Sequence, residues 1–279
     1  TVVITTDEAD QRRLEGIRID GFQPTHATQA VIVGDLITTQ TRRSTVHNND
    51  KMQAAARAAK NISNAPISNA KAQVANQTAV LSTAIASTQW TTASARATAT
   101  LRTAMLKGSW GSARKMRCVE VLMTVLFSPT KADPQSAITF RTMQHTRRQL
   151  NKDTQRVHQF TQPLLTAHPP YNNIVGPAHG FANAVVALGS QVNPLHPTIQ
   201  LTMPNGATTG VRHPDKTRYT ILVKEAITRS LLLSLQQRTT DAADQDTKPA
   251  NFRKDMVGVD ADLDIRASRV NLDANPTKK

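Results

Sequence analysis

Two segments of the chain repeat their apolar residues at helical spacing, and this leaves little freedom in their local structure. The first segment runs from Ser112 to Phe127 and the second from Asp215 to Gln236. Their apolar side chains are Met116, Val119, Leu122, Met123, Leu126 and Phe127, and then Tyr219, Leu222, Val223, Ala226, Ile227, Leu231 and Leu235. Residues three or four positions apart share one face of a helix. We therefore predict two core helices, capped by Ser112 and Asp215.

Weaker patterns predict four more helical segments. Alanine and threonine fill much of their apolar faces, and threonine forms helices poorly because its branched Cβ restricts χ1. The first runs from Lys51 to Ile62 after a cap at Asn49 or Asp50, and the second runs from about Ile67 to Leu106 with a break near 91–94. The third runs from Pro134 to about Pro163 after a cap at Asp133, and the fourth runs from Ala178 to Leu188 before Gly189. Residues 41–50 are predicted as a loop, and Gly108 to Gly111 as a turn.

Short β-branched runs predict a few strands. One is Thr1 to Thr6, and another lies between Ala30 and Thr39, around Gly34. The dipeptide Asn205-Gly206 separates two such runs, 198–203 and 207–212, and this arrangement is typical of a β-hairpin. The predicted fold class is α+β, mainly α-helical with a few short strands and a β-hairpin. Aromatic residues make up only 4% of the chain, so the core is thin, and we expect an elongated molecule or one that completes its core against a partner.

The same patterns suggest three parts of the chain. Residues 1–50 form an N-terminal segment of strands and loops, and residues 51–240 form a helical body with the hairpin near 198–212. Residues 241–279 form an acidic linker followed by a C-terminal strand, because apolar residues and aspartates alternate there.

Charge is distributed unevenly along a chain whose formal net charge is +14. No Asp or Glu occurs between Asp50 and Glu120, and we call residues 51–119 the acid-free segment. Residues 241–264, in contrast, hold seven acids and three bases. The two regions attract each other, either within one chain or between neighbouring copies. The basic excess also predicts an acidic partner, either a nucleic acid or a protein surface, although a solvated basic surface is an equally simple interpretation.

Two sets of residues are candidates for an interface. The first set is basic and suits phosphate or carboxylate groups, unless it is only a solvated helix face: Arg114, Lys115, Arg117, Arg147 and Arg148. The second set lies on the apolar side of the C-terminal strand: Val257, Val259, Leu263 and Ile265. A strand without a local partner can extend the sheet of a neighbouring molecule. It can equally pair within the chain, with 1–6 or with 30–39.

No motif predicts a catalytic, cofactor or metal site. None of the eleven glycines fits a nucleotide-binding loop, and none of the eight histidines pairs at the helical spacing of a metal site. The aspartates at 260, 262 and 264 resemble the start of a calcium loop, but Ile265 occupies the position that requires glycine. Cys118 is the only cysteine and fits inert packing better than catalysis. We expect a protein that is not an enzyme and carries no cofactor.

Membrane insertion is not expected either. No window approaches the ~18 consecutive apolar residues that a membrane span needs. The first twenty residues contain acids and lack the apolar stretch of a signal peptide.

Stretches rich in alanine, threonine, asparagine and glutamine give the chain its overall character. They include residues 71–78 and 91–98, and the tail from Val257 to Leu272 adds its alternating pattern. In size and character the chain resembles the clamp, or large protrusion, protein of turreted double-stranded RNA viruses of the cypovirus kind. This resemblance implies a capsid cement protein that sits in many copies on the major capsid shell protein. It further implies a place in the virion, and in the host cytoplasm during assembly.

A second hypothesis is a basic protein that contacts the phosphate backbone of nucleic acid, with RNA as its expected partner. It would use the acid-free segment and the basic helices between 114 and 156. Salt separates the two hypotheses, because phosphate binding weakens steeply as the salt concentration rises.

Overall fold

The computed structural model describes most of the central part of the chain. The described residues are 2–4, 9, 12–13, 16–18, 21–23, 25–27, 29–32, 35–38, 45–86, 88, 93–110, 119–153, 156–167, 174, 176–212 and 214–243. This part is mostly helical with short strands, which confirms the predicted α+β, mainly helical class.

Four short strands lie before residue 46. Strand β1 (Val2–Ile4) pairs in parallel with β2 (Thr25–Ala27). Strands β3 (Gln29–Ile32) and β4 (Asp35–Thr38) form an antiparallel hairpin. The strand predicted in the first six residues and the pairing predicted around Gly34 are therefore both confirmed.

The first group of helices contains α1 (Val46–Asn64), α2 (Asn69–Ala75) and α4 (Ala95–Trp110). Helix α2 continues through a π-helical turn at Asn76–Leu81 into the short α3 (Ser82–Ala84). Residues 85 and 86 form a turn, and 93 and 94 are not helical, so the predicted break before α4 is confirmed.

Two boundaries in this group differ from the prediction. Helix α1 begins after Thr45, within the predicted loop, and Asn49 is inside the helix and not at its cap. The Asn49 side chain bonds to a neighbouring segment instead, because its Oδ1 accepts from the backbone N–H of Ser94 at 2.8 Å. The predicted turn at 108–111 is also wrong in its described part, since Gly108 to Trp110 complete α4. Gly108 stays helical because other helices pack closely against it.

Helices α1 and α4 run parallel to each other. Their first turns meet through the bond between Asn49 and Ser94, and their last turns meet where Gly108 lies against Ser63. After α1, the segment from α2 to α3 carries the chain back to the level at which α4 begins. Their shared core combines alanines with about as many larger apolar side chains, and it includes Met52, Ala55, Ala59, Val80, Leu81, Ala84, Leu101 and Met105.

The second group of helices follows residue 118. It comprises α5 (Val119–Val121), a π-helical segment (Leu122–Leu126), α6 (Pro129–Ala132), α7 (Pro134–Lys152), α8 (Arg156–Thr166), α9 (Gly176–Ala187) and α10 (Lys216–Ala243). The predicted caps of α7 and α10 are confirmed. Asp133 accepts from the N–H of Ser136 at 2.9 Å, and Asp215 accepts from the N–H of Thr217 at 2.8 Å.

Two predicted ends in this group are wrong. The helix predicted to run to Pro163 stops at Lys152, and Pro163 lies inside the separate α8. Proline there removes one backbone hydrogen bond, to Gln159, and that residue is exposed, so water can take its place. Helix α10 runs past Gln236 to Ala243, beyond the predicted start of the linker, because a polar sequence without proline or glycine does not stop a helix.

A small sheet packs beside α9 and α10. Strand β5 (Gln191–Asn193) pairs with β6 (Gln200–Thr202), which pairs with β7 (Thr208–Gly210), all antiparallel. The predicted hairpin around Asn205-Gly206 is confirmed, and Gly206 has the positive φ of +81° that such a turn requires. Strand β5 was not predicted, because its three residues give too short a pattern.

Helix α7 connects the two apolar cores. Its Ala137 belongs to the core of α1 and α4, whereas its Met143 and Leu150 belong to the core of α9, α10 and the small sheet. Asp133, which caps α7, is fully buried and pairs with Arg102 of α4. A smaller apolar cluster, in which Leu106 of α4 meets Met123 and Phe127, also joins the two halves.

Candidate anion-binding groove

A groove of about 950 Å³ lies along the outer side of the parallel pair α1 and α4. Its floor consists of small residues, which include Ala56, Ala104 and Gly108. Small side chains at a helix contact let the backbones approach closely and leave open space above them. The groove therefore follows from the alanine-rich sequence that gives the core its low bulk.

Gly108 lies at the crowded end of this floor. A Cβ atom on Gly108 would lie 2.9 Å from Nδ2 of Asn76 and 3.4 Å from the carbonyl oxygen of Ala59. Asn76 is buried, and its Nδ2 donates to the carbonyl oxygen of Met105 at 3.3 Å and to Oγ of Ser109 at 3.2 Å. These contacts fix the C-terminal end of α4 against α1 and against the π-helical turn.

Four cationic side chains form the walls of the groove. Arg57 and Lys60 come from α1, and Arg96 and Lys107 come from α4. All four residues are exposed. Arg57 and Lys60 lie about one turn apart, and Arg96 and Lys107 lie three turns apart, or roughly 16 Å along the axis. The cations are thus spread along the groove and are not gathered at one point.

No carboxylate belongs to the described lining of the groove. Its remaining members are Gln53, Ser63, Asn64, Asn69, Ala99, Thr100 and Thr103. Side-chain amides are common donors to phosphate oxygens, whereas the hydroxyls of Ser63, Thr100 and Thr103 already donate to carbonyl oxygens of their own helices. Cations in a concave surface without acids raise the local concentration of anions. The arrangement can therefore bind an extended anion.

Aromatic side chains are also missing from the described lining. Proteins that hold single-stranded nucleic acid through its bases stack those bases on aromatic rings. A ligand of this groove would therefore be recognised by its charge and backbone, and not by its bases.

The structure describes two of the predicted interface residues. Arg148 is exposed on α7. Arg147 is half-buried, its Nη2 donates to the carbonyl oxygen of Pro214 at 3.2 Å, and its guanidinium lies 5.7 Å from the ring centroid of Tyr219. Neither arginine lines the groove. The other candidates fall outside the described residues, as does Cys118: Arg114, Lys115, Arg117, Val257, Val259, Leu263 and Ile265.

The sequence predicted the basic segment in which the groove lies, but it did not predict the groove. Its four cations all belong to the acid-free segment. The spacing 57/60 and 96/107 places each pair on one helix face, and this pattern was visible in the sequence. The parallel pairing of α1 with α4, which brings the two faces together, was not.

Two kinds of site are not found among the described residues. No group of three His, Cys, Asp or Glu side chains is placed to hold a metal ion there. In the same part of the chain, no helix combines the length and the apolar character needed to cross a bilayer.

Comparison with known proteins adds no family. No family model matches the chain, and no curated protein or solved structure is significantly similar to it.

Proposed function

We propose that this chain binds the phosphate backbone of a nucleic acid, with RNA as the expected partner, and catalyses no reaction. The observation that carries the proposal is the groove with four exposed cations and no described carboxylate in its lining. Phosphate contacts supply most of the affinity of sequence-independent binding. The side-chain amides of Gln53, Asn64 and Asn69 add donors for phosphate and sugar oxygens.

The number of cations sets the expected salt dependence. Each neutralised phosphate releases condensed counterions, so log K falls by about 0.7 per contact for single strands and about 0.9 for duplexes. Four contacts then predict a slope of log K against log salt of about −2.8 for a single strand and about −3.6 for a duplex.

The test compares two pairs of substitutions in the full chain. One variant carries Lys60→Gln and Lys107→Gln in the groove, and its matched control carries Arg148→Gln and Lys152→Gln on α7. Arg148 and Lys152 are exposed and lie outside the groove lining, and both variants lose the same formal charge. Binding of random-sequence single- and double-stranded RNA is followed by fluorescence anisotropy across a salt series.

We expect the slope of log K against log salt to become shallower by about 1.4–1.8 in the groove variant and to stay unchanged in the α7 variant. Equal losses in both variants would mean that net charge, and not the groove, attracts RNA. A shallower slope in the α7 variant alone would mean that RNA binds at the predicted Arg147–Arg148 region and not in the groove.

A second candidate function is a capsid clamp that stabilises a viral shell in many copies, as the resemblance implies. The observation in its favour is a set of large apolar side chains that are exposed on the described surface, among them Val74 at 57% and Leu195 at 77%. Burial of such side chains against another protein, here the major capsid shell protein, would contribute to binding.

This candidate is tested with purified particles. We expect particles to carry the chain at a fixed ratio to the shell protein, and to lose it when Val74→Asp and Leu195→Asp are combined. Undiminished incorporation of that variant would count against a clamp that uses these side chains.

A further inference from the structure

We propose that the acidic segment 255–264 of the same chain occupies the basic groove and competes there with nucleic acid. The competition rests on the function proposed above, whereas the docking of the segment does not. The occupant is identified by charge, by the point at which the described chain ends and by the length of chain that follows.

The charges of the segment and the groove match. Residues 255–264 contain Asp255, Asp260, Asp262 and Asp264 and no base. The groove presents Arg57, Lys60, Arg96 and Lys107 with no described carboxylate among them. Alternate residues of an extended chain lie on one side at about 6.8 Å, so three of these aspartates can face the groove together. A row of carboxylates spaced in this way imitates a row of phosphates.

Helix α10, which precedes the segment, packs against an apolar cluster that it shares with α4, the helix that supplies one wall of the groove. Leu231 of α10 packs against a small apolar cluster that includes Leu106, the residue before Lys107 of the groove. Helix α10 ends twelve residues later, at Ala243, which is roughly 18 Å further along its axis. The eleven residues 244–254 span up to about 36–40 Å when extended. This length covers the roughly 18 Å back along α10 and leaves about 18–22 Å for the crossing from Leu231 to Lys107.

The first test measures RNA affinity in the full chain. One variant carries Asp260→Asn, Asp262→Asn and Asp264→Asn, and a matched control carries Asp241→Asn, Asp244→Asn and Asp246→Asn. Both changes remove three negative charges. A groove that is nine-tenths occupied loses about tenfold in apparent affinity. We therefore expect the 260–264 variant to bind random RNA about tenfold more tightly than the control variant.

The second part of this test repeats the 260–264 change in the Lys60→Gln, Lys107→Gln background. If the segment acts in the groove, most of the gain disappears there. A gain of equal size in both backgrounds would overturn docking in the groove, and so would equal gains from the two sets of aspartates.

A readout without RNA separates the two proposals. Mass spectrometry measures how fast a lysine-acylating reagent modifies Lys60 and Lys107, with the exposed Lys152 as the internal reference. We expect the 260–264 variant to raise the rates at Lys60 and Lys107 several-fold and to leave Lys152 unchanged. Unchanged rates would overturn the inference even if the groove binds RNA, and raised rates would support it even if RNA does not bind.

Dilution distinguishes the chain's own segment from that of a neighbouring copy. Docking within one chain does not depend on concentration, so the protection of Lys60 and Lys107 should be constant across a hundredfold dilution. Protection that fades on dilution would overturn the proposal in favour of exchange between copies.

Discussion

At the scale of single residues, Gly108 shows how the groove depends on the absence of one side chain. Alanine is normally better than glycine inside a helix by about 1 kcal/mol. At Gly108 the added Cβ would meet Nδ2 of the buried Asn76, whose hydrogen bonds hold α4. Steric conflict and helix propensity therefore act in opposite directions.

We expect Gly108→Ala to lower the free energy of unfolding by about 1–3 kcal/mol, because crowding in a packed site outweighs helix propensity. Urea unfolding followed by circular dichroism measures the change. The control is Thr103→Ala on the exposed face of the same helix, which should stay within about 0.5 kcal/mol. A more stable Gly108→Ala variant would show that Asn76 can move aside.

Tyr219 is a second residue whose environment has a measurable effect. Its ring is fully buried, and its hydroxyl donates to the carbonyl oxygen of Met143 at 3.2 Å. Burial raises the pKa of the Tyr219 hydroxyl well above its ordinary value, and the nearby positive charge of Arg147 offsets this only in part. The folded protein therefore keeps this proton at a pH where the unfolded chain has lost it.

We expect this difference in pKa to destabilise the fold at high pH. The stabilisation is complete below the ordinary pKa of 10.0 and declines as the pH rises above it, because only the unfolded chain ionises. The loss is about 1.4 kcal/mol for each pH unit. Urea unfolding between pH 8 and 11 should show a steeper decline for the parent chain than for Tyr219→Phe. Parallel curves would contradict the assignment.

At the scale of helices, the start of α7 combines a cap with an ion pair. One carboxylate oxygen of Asp133 accepts from the N–H and the hydroxyl of Ser136, at 2.9 and 2.6 Å, and the other accepts from Arg102. Burial of the guanidinium lowers the pKa of Arg102, but the hydrogen bond and charge of Asp133, together with the charge of Glu120, outweigh this effect, so the pKa is raised. Both carboxylate oxygens of Asp133 are thus bonded.

We expect Asp133→Ala to cost about 3–5 kcal/mol of unfolding free energy, because the change removes a cap and breaks a buried ion pair. Asp215→Ala is the matched comparison, since this cap of α10 is exposed and should cost only about 1 kcal/mol. Thermal unfolding of both variants gives the difference. Equal costs would mean that the contact with Arg102 contributes little.

Helix starts and turns were predictable where a local rule acts alone. The Asp-Pro pair at 133–134 and the Asn-Gly pair at 205–206 fix the backbone by their own chemistry. Boundaries set by distant contacts were missed. Asn49 bonds to Ser94, and Gly108 packs against Asn76 and Ala59, so neither residue behaves as its local sequence suggests.

At the scale of the molecule, α7 makes the two apolar cores depend on each other. Leu101 belongs to the first core and Phe181 to the second, and both are fully buried. We expect Leu101→Ala and Phe181→Ala to cost about 2–5 kcal/mol each and to shift one common transition.

Far-UV circular dichroism and calorimetry on both variants test this cooperativity. One transition in each variant, with the calorimetric enthalpy equal to the van't Hoff enthalpy, is the expected result. Two separate transitions in either variant would mean that α7 does not couple the cores.

The site was less predictable than the fold because it depends on contacts that are distant in sequence. The acid-free segment gave the sign and the place of the charge, but it also contains Arg102, which turns inward to Asp133. The groove cations can be distinguished from this structural arginine only when the packing of α1 against α4 is known. That packing relies on alanine and glycine, whose pattern is weakly specific.

The parallel course of α1 and α4 also bears on how the molecule folds. Parallel neighbours cannot be joined by a short loop, so the walls of the groove meet only after the chain has returned through α2 and α3. Contacts of such long sequence separation carry a loop-closure cost and slow the folding rate. A ligand that bridges both walls therefore binds only chains that have completed this return. Its binding therefore raises the free energy of unfolding. The occupied groove should for this reason protect the whole helical group from proteolysis.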